Sequence, residues 1–265
     1  MAPAAGRAGR LDEGAPATAA LGHRPLGHHP FCLHAMTRVV GIDGCRAGWL
    51  LLSWELESGG LEAVIAGSWR ELSWRAAALT AVDMPIGLAE AGPRACDREA
   101  RALLPRGRKA SVFAPPRRFM LACSDWAAAQ ALGRAREGCG LSRQAWNIAA
   151  KIREIDDSLV PADQERLREV HPELVFHRLN GWRPLAPKRS AEGQQQRLAL
   201  LRAAGLSGIE SWLGHFPRKL AGRDDVLDAA ACALAAKQIL KGHGERLPAG
   251  EPPRDARGLR MEIWY

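Results

Sequence analysis

Four aspartates carry the chemistry this sequence offers. Asp43 ends the apolar run 39–42, and Asp83 ends a second one, 79–82. Asp225 and Asp228 stand three apart in the segment 224–240, the i,i+3 spacing that sets two side chains on one face of a helix. Carboxylates supply hard oxygen donors, which suit Mg²⁺ or Mn²⁺. Two such ions about 3.5–4 Å apart activate a water and stabilise the leaving oxygen of an in-line phosphoryl displacement. That reaction needs clustered carboxylates more than any single base. Asp43, Asp83, Asp225 and Asp228 are therefore the candidate catalytic and metal-ligating set for hydrolysis of a phosphodiester.

Each acid also has a plainer reading. Asp43-Gly44 is a pair that often starts a turn. Asp224 after Gly222 suits an N-cap, and Asp225 suits the positive end of a helix dipole. Asp228 is different, because Val226, Leu227 and Ala229 to Ala231 surround it in what should be a buried face. A carboxylate there costs several kcal/mol of desolvation unless a cation or strong donors compensate it.

A sheet must position these groups. Residues 39–43 and 49–54 read as strands joined by a turn, and 61–66 as a third strand after Ser58-Gly59-Gly60. The pattern predicts a helix over 68–78 with Ser68 as its cap, then a strand over 79–84. A meander of three strands, a helix and a strand crossing back parallel to the first make the opening of an RNase H-like α/β fold. On adjacent strands about 4.8 Å apart, Asp43 and Asp83 would emerge side by side. Helical spacing over 94–104, 124–136 and 142–159 marks a helical insertion. A fifth strand is expected at 170–177, helices at 191–204, 209–220 and 224–240, and an edge strand at 259–265.

Composition narrows the class. Of 265 residues, 47% are hydrophobic and 25% charged, as in an ordinary globular protein. No apolar run approaches the roughly 18 residues of a membrane span. Cys32, Cys45, Cys96, Cys123, Cys139 and Cys232 are scattered without a C-x-x-C pair, which favours a reducing cytoplasm over a disulfide framework or a zinc site. The formal charge of +8 favours an anionic partner, nucleic acid foremost, unless it reflects coding bias. Residues 1–36 lack either period and read as a disordered tail ahead of a domain over 37–265, with Met36 as a candidate natural start. His28, His29, Cys32 and His34 could bind metal within that tail.

Basic residues offer phosphate contacts or merely a solvated surface. Arg94, Arg98, Arg101, Arg106, Arg108, Lys109, Arg117 and Arg118 crowd one stretch near Asp83. On the 142–159 helix, Gln144, Asn147, Lys151 and Glu154 form a polar stripe that is either its wet face or the lining of a groove. Arg46, Lys188 and Arg197 join Lys151, Arg108 and Lys109 as candidate substrate-binding residues. The nine tryptophans read as core or core-edge residues.

Several motifs in order carry a family resemblance. They are Gly41-Ile42-Asp43-Gly44-Cys45-Arg46-Ala47-Gly48-Trp49, Val82-Asp83-Met84-Pro85-Ile86-Gly87-Leu88 and Cys96-Asp97-Arg98-Glu99-Ala100-Arg101. Ser111-Val112-Phe113, Lys151-Ile152-Arg153-Glu154-Ile155-Asp156, His171-Pro172-Glu173, Lys188 with Gly193 and Arg197, and Asp224-Asp225-Val226-Leu227-Asp228-Ala229 follow. The chain resembles the DUF429 family over about residues 38–265, which implies an RNase H-like fold and a nuclease activity. More distantly it is similar to Holliday-junction resolvases, whose acids on strand one, strand four and a last helix match Asp43, Asp83, Asp225 and Asp228. The acid usual on the first RNase H helix has no counterpart here. Glu173 is either a further metal ligand or a cap of the 170–177 segment. Two other functions fit the same fold: a non-catalytic nucleic-acid-binding protein, and an actin-like ATP-binding protein using the 43–48 turn. The second lacks the repeated domain and adenosine loop it would require.

Overall fold

Short apolar runs, buried on both faces, build the sheet. In the computed structural model, which describes residues 37–265, β1 (Arg38–Cys45), β2 (Gly48–Glu55) and β3 (Leu61–Ala66) form an antiparallel meander. β4 (Leu79–Val82) returns parallel to β1, with Ile42 opposite Val82. The insertion follows as α1 (Ala95–Leu103), α2 (Arg118–Leu121), α3 (Trp126–Glu137), α4 (Arg143–Asn147) and α5 (Ala149–Ser158). β5 (Leu167–Glu169) then adds in parallel beside β4. After it come α6 (Pro172–Leu179), α7 (Ala191–Ala203) and α8 (Arg223–Leu240), and a small sheet of β6 (Arg246–Leu247) and β7 (Ile263–Trp264). The order β3-β2-β1-β4-β5 is the RNase H-like mixed sheet expected from the meander and crossover.

The two faces of the sheet bury two clusters. Val39, Leu50, Leu52 and Ala81 pack against α8, and Val40, Ile42, Leu51 and Val82 pack against α5 and three tryptophans, Trp49, Trp69 and Trp74. α8 approaches β1 closely because Gly41 has no side chain. A Cβ there would overlap the Ala229 carbonyl and the Ala233 amide. Gly41 lies two residues before Asp43 on the same face of β1, so this contact also sets the distance from Asp43 to α8. Among the described residues, no helix is long and apolar enough to cross a membrane.

Several elements depart from their sequence signals. Residues 68–78 form two 3-10 turns, Trp69–Glu71 and Trp74–Ala76, in place of one helix. Trp69 and Trp74 are both buried, with ring centroids 5.7 Å apart. Five residues apart on an α-helix, at 3.6 per turn, they would point in widely different directions; the broken path lets both face the core. The Ser68 hydroxyl bonds to Glu71 Oε1 and caps no helix. The 142–159 helix divides at Ile148 (φ −105°, ψ 1°). The fifth strand lies at Leu167–Glu169, and the expected strand 170–177 is mostly α6, begun by Pro172, whose missing N–H costs nothing in a first helical turn. Val175 and Phe176 favour strands intrinsically, but here they fill a helix buried on nearly every side. Residues 209–220 hold only the 3-10 turn Ile209–Trp212. The expected edge strand 259–265 shrinks to β7, which also bridges to Val170. The expectations for residues 1–36, including a metal site at His28, His29, Cys32 and His34, lie outside the described residues.

Candidate active site

Adjacent parallel strands bring the first two acids together. The Asp83 amide donates to the Ile42 carbonyl at 2.9 Å, carrying the ladder one step beyond the Ile42–Val82 pair. Asp43 and Asp83 thus stand at one level of neighbouring strands. Asp43 is 8% exposed and accepts from the Gly44 amide at 2.7 Å. Asp228, 3% exposed, comes from α8. Its Oδ2 pairs with Lys188 Nζ at 2.7 Å, from the loop before α7. Asp43, Asp83, Asp228, Lys188, Glu173 and His171 line one cavity of about 330 Å³.

These carboxylates repel one another in a poorly solvated place. Burial, then Asp83, Asp228 and Asp225, hold the Asp43 carboxyl well above the usual range, with Lys188 opposing. Burial raises Asp83 to about 6; Asp228 and Glu173 push the same way, while His171 and Lys188 oppose. Burial also raises Asp228 against the pull of Lys188. Burial alone would lower Lys188, but Asp228, Asp83 and Asp43 hold its ammonium above the ordinary lysine value. One tethered cation therefore serves two buried acids, Asp43 and Asp228, and the partly exposed Asp83.

The remaining candidates divide between the cavity and its supports. Asp225 lines a neighbouring groove and accepts from the Gly222 amide at 2.7 Å, the capping role its position suggested, with Gly222 rather than Asp224 as the N-cap. Burial raises its carboxyl, the Gly222 bond opposes, and Asp224 and Asp228 add repulsion. Glu173 has both oxygens bonded by Arg197 at 2.7–3.1 Å. Arg197 is fully buried behind Glu173 and also donates to the Ala186 and Gly193 carbonyls. It anchors that acid and has no path to a phosphate. Arg108 lines the cavity and donates to the Leu185 carbonyl at 3.0 Å. Lys109 is exposed on the same 3-10 segment, Arg106–Ser111. Lys151 donates to the Gly48 carbonyl, under the turn joining β1 and β2, and its Nζ lies 4.9 Å from the Trp49 ring centroid. Arg46 lines the neighbouring groove.

Much of the expected basic stretch is structural. Arg94 is buried between Asp97 and Glu169, Arg117 pairs with Glu137, and Arg118 bonds to Asp156 and Asp255. Glu154, on the polar stripe of α5, accepts from the Trp49 ring and the Trp69 amide. That end of the stripe faces the core.

His171 belongs to the site and was not singled out as a site residue from sequence. Its Nε2 lies 3.3 Å from the Ser111 carbonyl, and its buried Nδ1 has no hydrogen-bond partner among the described residues. The available signal was its place, two residues beyond β5, at the sheet edge where Asp43 and Asp83 emerge. Arg94, Asp97 and Glu169 also line the cavity. Burial raises Glu169 to about 7 against the pull of Arg94.

A cluster of carboxylate oxygens with excess negative charge has the donor chemistry of a hard divalent cation. Among the described residues, however, no three or more His, Cys, Asp or Glu side chains are grouped to hold a metal ion. Lys188 draws Asp228 to itself instead.

No curated protein and no solved structure gives a significant match to this chain. One family model, described as a protein of unknown function (DUF429), matches residues 41–253. The matched span runs from β1 past β6 and takes in all four aspartates, Glu173 and Lys188. The chain is a member of the DUF429 family.

Proposed function

We propose that this protein is a metal-dependent nuclease that hydrolyses phosphodiester bonds of DNA or RNA. The observation that carries this reading is the convergence of Asp43, Asp83 and Asp228 on one cavity, with their mutual repulsion only partly relieved by Lys188. Packing alone gives no reason for such a cluster, since apolar residues of similar size would fill the space without the desolvation cost. A divalent cation supplies the missing charge.

In this reading Asp43 and Asp83 would hold Mg²⁺ or Mn²⁺ from adjacent strands, with Asp228, now paired with Lys188, as the third carboxylate available to it. Asp225 contributes from the next turn of α8 through its field. The bound ion supplies Lewis acidity and a water of lowered pKa. The partly exposed Lys188 ammonium would offer its positive charge to a phosphate of the substrate. Glu173, pinned by Arg197, keeps the cavity wall in place. The positive charge of +8 suits a polyanionic substrate. The five described cysteines are free, three of them buried, in keeping with a reducing cytoplasm.

The test is cleavage of labelled DNA and RNA with Mg²⁺ or Mn²⁺ by the wild type, Asp43→Asn and Asp228→Asn. The expected result is cleavage by the wild type and its loss in both variants. Cleavage that survives either substitution, or nucleic-acid binding with no cleavage under either metal, refutes the proposal.

A further inference from the structure

A second cavity, of about 720 Å³, adjoins the carboxylate cavity, and the two share Gly44 and Ile148 in their walls. Four arginines from three separate stretches of chain line it. Arg46 comes from the β1–β2 turn, Arg189 from the loop before α7, Arg218 from the loop before α8, and Arg223 from the first turn of α8. Their charges are poorly compensated. Arg189 pairs with Asp224 at 3.3 Å, and among the described residues Arg223 bonds only to the neutral amide of Gln194. Arg46 donates to the Arg218 carbonyl, and among the described residues neither Arg46 nor Arg218 has a carboxylate partner. The other acid in the wall, Asp225, is bonded to the Gly222 amide.

The wall is also held in shape. The Ala47 amide donates to the Leu220 carbonyl at 3.0 Å, tying the β1–β2 turn to the loop that carries Arg218. With the Arg46–Arg218 bond, this fixes two of the cationic segments to each other before any ligand arrives. Among the described residues no aromatic ring lines the groove, so they offer no platform there for stacking a base. Guanidinium groups bind phosphate oxygens bidentately, and phosphate contacts carry no base sequence.

We infer that this groove binds the phosphodiester backbone of a nucleic-acid strand on one side of the bond presented to Asp43 and Asp83. The inference rests on the nuclease reading for what happens next door, but it can be tested separately. A single strand and one strand of a duplex present the same phosphates, and the two forms are separate arms of the experiment.

The full chain is titrated in EDTA against a short labelled oligonucleotide, single-stranded or annealed, and binding is followed by fluorescence anisotropy at several salt concentrations. Arg218→Ala/Arg223→Ala is compared with the wild type and with Arg70→Ala/Arg166→Ala. The second pair removes the same charge from exposed positions that line neither cavity. The groove variant is expected to bind at least about tenfold more weakly. Its slope of log K against log salt should fall by about 1.4 on a single strand or about 1.8 on a duplex, for two lost phosphate contacts. The control pair should keep the wild-type slope. The form with the larger loss is the strand the groove takes. Wild-type affinity in the groove variant, equal losses in the control pair, or no binding by the wild type would each overturn the inference. If the wild type binds through the groove yet never cleaves, the nuclease reading falls and the groove stands. If it cleaves while the groove variant binds normally, the groove alone falls.

Discussion

Replacing Asp83 by asparagine should make the metal-free protein more stable while it destroys the site. Asp83 moves from its ordinary 3.8 to about 6 through burial and the neighbouring acids Asp228 and Glu173. A shift of about 2 units at about 1.36 kcal/mol each makes the ionised carboxylate about 3 kcal/mol unfavourable to the fold. Asp83 keeps some contact with solvent, and screening trims this to about 1–2 kcal/mol. For a unit of this size, about 1 kcal/mol is worth about 2–4 °C in Tm, so Asp83→Asn should gain about 2–8 °C at pH 8 in EDTA. The sign follows from linkage. A carboxyl whose pKa is raised by folding stabilises the native state below its ordinary pKa, and that stability is lost as pH climbs through about 6. The gain should therefore be absent near pH 3.5, grow between about pH 4 and 6, and level off above. Melting curves followed by circular dichroism across this range give the answer. Mg²⁺ should then raise the Tm of the wild type and leave the variant almost unmoved. A variant less stable than the wild type at pH 8, or a gain independent of pH, would refute the electrostatic account of the site.

Three further perturbations address its supports. Gly41→Ala places a methyl group against backbone atoms of Ala229 and Ala233 and should cost about 1–3 kcal/mol in urea denaturation, with metal-dependent cleavage falling as α8 moves away from β1. Arg197→Ala leaves Glu173 buried without its partner and should cost about 3–5 kcal/mol; a loss under 1 kcal/mol would mean that Glu173 is solvated or paired elsewhere. Lys188→Met removes the counter-charge of Asp228. Because Lys188 is 39% exposed, the metal-free protein should lose about 2 kcal/mol rather than the larger cost of a fully buried pair. Isothermal titration should show tighter Mn²⁺ binding in this variant, since the ion no longer competes with the ammonium.

Much of the site was legible because its signals are local. The apolar runs before Asp43 and Asp83 identify strand ends, and the meander and crossover make those strands neighbours, as the Ile42–Val82 register confirms. Asp228 stood out as an acid inside an apolar helical face, and it is buried. The misreadings arose where burial outweighed local preference. Trp69 and Trp74 broke the 68–78 helix, and Val175 and Phe176 entered α6 despite their strand propensity. Arg94 and Arg197 resembled surface cations in sequence, yet both are buried against carboxylates, Arg197 against an acid 24 positions away.

By itself, the sequence determined the mixed sheet, the edge at which Asp43 and Asp83 emerge, and the helix that brings Asp228. Short apolar runs, turn chemistry and i,i+3 spacing act over a few neighbouring residues and need no knowledge of distant contacts. Only the tertiary structure decided that Lys188 reaches Asp228 across 40 positions, and that Arg46, Arg189, Arg218 and Arg223 share one groove. The loop carrying Lys188 and Arg189 is held by contacts to α7 and α8, and the loop carrying Arg218 by bonds to the β1–β2 turn. A charge finds its partner, or is left without one, only after those loops are in place.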